Sequence, residues 1–169
     1  MQRLEVTVDG IPLSYLHSGS GPPVLLVHGT FWSRVWEPVM AEIAGAGYEA
    51  YALDFPGFGK SGGRLSRTDA SVPALARSAR RFLDAVGIRG DVTVAGHDIG
   101  GAVAQHLAAF EPSVQRLVLM NSVLYDFWPV PAVERFRDQT VVDAITVDEV
   151  LQARAQSLAR GRVAPAQRR

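Results

Sequence analysis

Gly96-His97-Asp98-Ile99-Gly100-Gly101 sets one acidic residue among glycines, directly after the apolar stretch Val92-Thr93-Val94-Ala95. A carboxylate is ionised near neutral pH, so an aspartate here can attack carbon without first losing a proton to a base. Gly96-x-Asp98-x-Gly100 has the spacing of a nucleophile elbow, with aspartate in the serine position. The glycines two before and two after have a steric reason, because side chains there would collide with the neighbouring strand and helix. Gly101 and Ala102 extend this small surface and let the helix pack close to the sheet. The acid then sits at a helix N-terminus, where backbone N–H groups and the macrodipole favour negative charge. A plainer role for Asp98 is to cap that helix, for which aspartate is a favoured type. A plain cap, however, does not need the flanking glycines.

Two more turns follow buried-looking strands: His28-Gly29-Thr30, and Asp54-Phe55-Pro56-Gly57-Phe58-Gly59-Lys60-Ser61. In a doubly wound sheet, ligands bind at the carboxyl ends of the strands, and all three turns fall there. Gly57-x-Gly59 lacks the further glycine of a dinucleotide loop. No cofactor is implied, and no metal-ligand cluster is visible. Cysteine is absent, which excludes disulfides, thiol catalysis and thiolate metal sites.

The elements that must position these turns are readable from periodicity. Leu4-Glu5-Val6-Thr7-Val8 alternates like a half-exposed strand. Asp9-Gly10 is a hairpin turn, with residues 11–16 returning as the second strand and a glycine- and proline-rich loop at 18–23. Val24-Leu25-Leu26-Val27, Ala50-Tyr51-Ala52-Leu53, Val92-Thr93-Val94-Ala95 and Leu117-Val118-Leu119-Met120 are continuous apolar runs, as expected of strands covered on both faces. Between them lie helical patterns. One is capped by Ser33 and carries Trp36, Val39, Met40 and Ile43 on one face. A second carries Leu75, Ala79, Phe82, Leu83 and Val86 and is stopped by Gly87. A third spans 99–110. Strands alternating with helices predict βαβ units and a mostly parallel, doubly wound α/β sheet. After Met120 the alternation stops: 1–123 reads as sheet core, 124–159 as a helical segment beginning a cap, and 160–169, with four arginines and no acid, as a disordered tail. That tail reads either as an ordinary basic end or as the product of another reading frame.

Net charge is zero over 169 residues, so no basic field points to nucleic acid or an anionic membrane. No apolar run reaches the length of a membrane span, and the N-terminus does not resemble a secretory signal. A small-molecule substrate and a cytoplasmic location are expected.

His28-Gly29 after a buried strand, Asp54-x-Pro56-Gly57-x-Gly59-x-Ser61 and Gly96-His97-Asp98-x-Gly100-Gly101 together resemble the α/β-hydrolase superfamily. The aspartate at the elbow is similar to the branch of haloalkane dehalogenases, fluoroacetate dehalogenases and epoxide hydrolases. The resemblance runs to about Pro131. It implies that Asp98 displaces halide or opens an epoxide to form an alkyl ester, which water, activated by a histidine, then hydrolyses. It implies an oxyanion hole from the amides of Thr30 and Ile99, with Phe31 an adjacent alternative to Thr30. Phe31 and Trp32 are expected to meet substrate, and His28, Gly29, Gly96, His97 and Gly100 to shape the turns. Trp32, Trp36 and Trp128 either line a pocket or pack in core and cap. Arg34 either meets an anionic substrate or is a solvated surface residue.

Several positions depart from the family pattern. The family's base histidine lies beyond two further strands. Here the histidines are His17, His28, His97 and His106, and none is expected to be that base. The position after the fourth buried strand, where some relatives place the supporting acid, is Asn121; Asp126 lies close by as a turn residue. Ile99 and Thr30 stand where dehalogenases place halide-holding donors, and the arginine that follows the nucleophile in fluoroacetate dehalogenases is missing. Tyr125 is the one tyrosine of the cap start. The sheet is thus expected to stop after about its sixth strand, with 117–120 as an unprotected edge. That edge predicts self-association or a complementing C-terminal chain. The alternative to catalysis is a non-catalytic binding or interaction half-domain.

Overall fold

Asp9 and Gly10 both take positive φ, 51° and 77°, as a two-residue hairpin of the type matching strand twist requires. They join β1 (Gln2–Val8) to β2 (Ile11–Gly19), with Val8 opposite Ile11. The computed structural model describes residues 1–66, 69–123, 129 and 131–160. The chain divides into two compact units, 1–125 and 126–169.

The first unit is a six-stranded sheet in the order β1-β2-β4-β3-β5-β6. β3 (Pro23–Val27) is central and pairs in parallel with β4 (Glu49–Leu53) and β5 (Val92–Asp98); β5 pairs in parallel with β6 (Val114–Ser122). β1 and β2 add antiparallel. β2 continues past residue 16 into what reads as loop, because Ser18 and Gly19 find ladder partners in Ala50 and Glu49.

The strand runs are continuous because both faces are covered. Leu25, Val27, Leu53 and Val94 pack with Leu75, Ala79, Phe82 and Leu83 of α2 (Val72–Ala85) and Val103 and Leu107 of α3 (Ile99–Phe110). Val24, Leu26, Ala50, Ala52 and Ala95 face the opposite layer, against Trp36 and Met40. The segment entering that layer differs from expectation. Ser33 does not cap a long helix. It opens a 3-10 turn, Ser33–Trp36, followed by α1 (Glu37–Gly45). Its amide is drawn to Asp54 and its hydroxyl to Arg3. Pro38 then stands in the first turn of α1, where its missing N–H costs nothing.

β6 is partly exposed on both faces. Leu117, Val118, Leu119 and Met120 are 39, 45, 37 and 41% exposed, whereas Val94 of the neighbouring β5 is 0% exposed. This is the edge the sequence predicts.

In the second unit, α4 (Pro131–Glu134) leads through a 3-10 turn (Arg135–Arg137) to α5 (Gln139–Ala144) and α6 (Val147–Arg160). Thr146 and Glu149 close a reciprocal box at the start of α6: Thr146 N donates to Glu149 Oε2 at 2.8 Å and Glu149 N to Thr146 Oγ1 at 3.2 Å. α6 carries helix to Arg160, the first residue of the expected tail. Residues 161–169, the first residues of the expected cap segment (124–128), and with them the expectations for Tyr125, Asp126 and Trp128, lie outside the described residues. Among the described residues no helix is long and apolar enough to cross a membrane.

Candidate active site

β5 ends at Asp98 and α3 begins at Ile99, so strand turns to helix across one peptide bond. Asp98 holds φ 57° and ψ −129°, a region that costs a non-glycine residue about 1–3 kcal/mol and persists only where the surroundings impose it. Those surroundings are the glycines. A Cβ on Gly96 would come within 2.3 Å of the Gly100 carbonyl oxygen, and one on Gly100 within 2.3 Å of the Val27 carbonyl oxygen. On Gly29 it would fall 2.5 Å from Asp98 Cβ, so the His28-Gly29 turn leaves room for the acid itself.

The Asp98 side chain makes no capping hydrogen bond to α3. The plain cap is therefore not its role in this structure. Its Oδ2 accepts instead from the Thr30 amide at 3.1 Å and the Thr30 hydroxyl at 2.7 Å. Among the described residues no hydrogen bond or ion pair engages Oδ1. One oxygen is anchored and the other has no partner among the described residues. Ile99 opens α3, where the first amides lack intrahelical acceptors.

His28 is 1% exposed. Its Nε2 accepts from the Phe55 amide at 3.1 Å, which requires the proton on Nδ1, and Nδ1 lies 2.9 Å from the Gly29 carbonyl oxygen. Burial pushes its pKa below the ordinary histidine value, opposed by the Gly29 carbonyl and by Asp54. His28 is thus a neutral strut that ties the end of β3 to the end of β4. Asp54, 0% exposed, completes the tie: Oδ1 accepts from Ser33 N at 2.6 Å and Oδ2 from Lys60 N at 3.0 Å. Ser61 donates to the Asp54 carbonyl oxygen at 2.6 Å and accepts from Ser14 N at 2.8 Å. The Asp54–Ser61 motif is therefore a scaffold under the 28–33 loop.

The charge partner of Asp54 is Arg3, whose Nη1 lies 2.9 Å from Oδ2. Sequence reasoning missed it. The available signal was a buried-looking aspartate, which demands a cation, and an arginine on the face of β1 opposite Leu4, Val6 and Val8.

Phe31 is half-buried beside Thr30 and Trp32 is 38% exposed. Trp36, 2% exposed, belongs to the core, edge-on to His97 with centroids 6.5 Å apart. Arg34 is exposed and lies 3.5 Å from Glu37. His17 is 2.9 Å from Glu49 and against Tyr51. His106 packs at a tilt against Phe110. Among the described residues, no histidine shares a hydrogen bond or ion pair with Asp98. Asn121, the residue before the last of β6, holds φ 43°. Among the described residues no group of three or more His, Asp and Glu side chains gathers as metal ligands.

The family model described as the alpha/beta hydrolase fold matches residues 22–155. The chain is 37% identical over 118 residues to an uncharacterized protein of Mycobacterium tuberculosis, covering 69% of this chain and 33% of that one. It is 32% identical over 111 residues to bifunctional epoxide hydrolase 2 of Sus scrofa, covering 64% of this chain and 20% of that one. An epoxide hydrolase crystal structure from Vigna radiata superposes with a TM-score of 0.65 at 28% identity, covering 70% of this chain and 37% of that one. The chain thus spans about a third or less of the length of these relatives. The strand-to-helix turn at Asp98, the six-stranded sheet that carries it and the matched model agree: the chain belongs to the α/β hydrolase fold family.

Proposed function

We propose that this chain carries the nucleophile half of a hydrolase that attacks an alkyl carbon with Asp98. The observation that supports this most is the asymmetry of the carboxylate: Oδ2 is held by two donors of Thr30 while Oδ1 has no partner among the described residues. An Asp98 oxygen forms a bond to the substrate carbon. With an alkyl halide, the carbon–halogen bond breaks and its electron pair leaves with the halide. With an epoxide, a ring carbon–oxygen bond breaks and the oxygen takes a proton from water. The Thr30 and Ile99 amides then form the oxyanion hole for attack of water on the ester. Phe31 and Trp32 border the approach. Epoxide hydrolases among the relatives support the epoxide class. The Thr30 hydroxyl is committed to Asp98 and leaves no side-chain donor there for a departing halide. With no histidine against Asp98 among the described residues, the ester is expected to persist. Intact mass after incubation with a terminal epoxide or a primary alkyl bromide tests this: one adduct on the wild type, none on Asp98→Asn. Labelling that survives the substitution overturns the assignment.

A second reading is a half-domain that binds or pairs without chemistry, and the open β6 edge favours it. Ligand-induced stabilisation with no adduct would support that reading, whereas turnover restored by a separately made C-terminal segment would instead mark a split enzyme whose second chain supplies the histidine.

A further inference from the structure

We infer that Arg3, at the far edge of the sheet, is a positioning residue for the Thr30 donors that hold Asp98. This inference rests on the reading of Asp98 as nucleophile. The guanidinium spans three elements. Nη1 donates to Ser14 Oγ of β2 at 2.9 Å and to Asp54 Oδ2 after β4 at 2.9 Å, and Nη2 donates to Ser33 Oγ at 3.3 Å. Ser14, Ser33 and Asp54 are 3, 0 and 0% exposed. A buried carboxylate needs a charge partner, and the side chain of Arg3 is 31% exposed, so the fork is partly withdrawn from water.

The consequence reaches the site through a short loop. Residues 28–33 are fixed at one end by His28, which accepts from the Phe55 amide. They are fixed at the other by Ser33, whose amide donates to Asp54. Both anchors are consecutive residues, Asp54 and Phe55. Thr30 lies between the fixed ends, and its amide and hydroxyl meet Asp98 Oδ2. Arg3 sets the Asp54 carboxylate and touches Ser33 directly, so it governs one end of the loop that carries the donors. Arginine suits this task because its planar fork offers several donors at fixed angles, whereas lysine offers one compact charge.

Lysine at position 3 separates the two possible roles. It keeps a cation for Asp54 but cannot hold Ser14, Asp54 and Ser33 in one plane. If Arg3 only neutralises Asp54, Arg3→Lys behaves as wild type. If Arg3 positions the loop, the Thr30 amide of Arg3→Lys exchanges with deuterium about ten-fold faster while Leu25 in β3 is unchanged. The rate of adduct formation on Asp98 falls about ten-fold or more in the same variant. Ser33→Ala, which removes one acceptor and keeps both charges, should move Thr30 exchange in the same direction and carries the test if Arg3→Lys does not fold. Thr30 exchange equal to wild type in the folded variants overturns the inference. A Thr30 response with no wild-type adduct leaves the positioning role standing and sinks the nucleophile reading. A wild-type adduct without the Thr30 response does the reverse.

Discussion

Thr30 gives both its backbone amide and its hydroxyl to the same oxygen of Asp98, at 3.1 and 2.7 Å. Sixty-eight residues separate the two in sequence. The pairing orients the carboxylate plane and concentrates the donors on Oδ2. Thr30→Val removes the hydroxyl and keeps the shape. Adduct formation on Asp98, followed by intact mass over time, should slow by about ten-fold through loss of carboxylate orientation. An unchanged rate would show that the amide alone suffices.

The glycines of the turn should differ sharply from a glycine elsewhere. Gly100→Ala drives a Cβ against two backbone carbonyls, of Val27 and His28, at 2.3 and 2.4 Å. Neither is the end of a flexible side chain, so the cost is expected to reach about 1–3 kcal/mol or more. Gly45, at the end of α1, has nothing within 4 Å of the same position. Gly45→Ala should stabilise by about 0.5–1 kcal/mol through helix propensity and chain entropy. Thermal midpoints of the two variants against wild type check both signs. Equal midpoints would mean the turn relaxes around the added methyl.

His28 makes stability depend on pH. Burial lowers its folded-state pKa below the ordinary value. The unfolded chain therefore takes up a proton near pH 6.5 while the folded chain does not. This contribution is fully present above that value. It is lost as pH falls from about 6.5 towards the lowered folded value, at up to about 1.4 kcal/mol per pH unit. Protonation also removes the lone pair that accepts from the Phe55 amide. Denaturant midpoints from pH 7.5 down to 5 should fall more steeply for wild type than for His28→Asn. Parallel profiles would sink the assignment.

β6 is nine residues long and contains a single charged side chain, Arg116. Its apolar run Leu117–Met120 is partly exposed on both faces, and open strand edges invite pairing. Sedimentation velocity across a concentration series should show association of wild type, and Leu119→Lys should shift it towards monomer. A wild type that stays monomeric throughout, with a sharp thermal transition, would refute the open edge as a docking surface.

Much of the architecture was legible in residues 24–27, 50–53 and 92–95. A run of apolar residues without alternation can be buried only if both faces are covered, which demands a layered α/β sheet. The elbow was legible too, because Gly96 and Gly100 bracket Asp98 at a spacing that only a close approach of strand, turn and helix explains. Three things depended on tertiary contact. Whether Asp98 caps α3 or turns away from it is decided by its φ of 57° and by Thr30. Ser33 fits an N-cap by type, but the buried Asp54 draws its amide and converts the expected helix start into a 3-10 turn. Nothing local to Arg3 marks its partner, yet Asp54, 51 positions away, needs its charge. Local pattern determines which residues enter sheet and helix, because periodicity and sterics act over a few residues. Which polar groups satisfy one another in the interior is decided only when strands distant in sequence become neighbours, because a buried charge takes its partner from whatever the fold brings within reach.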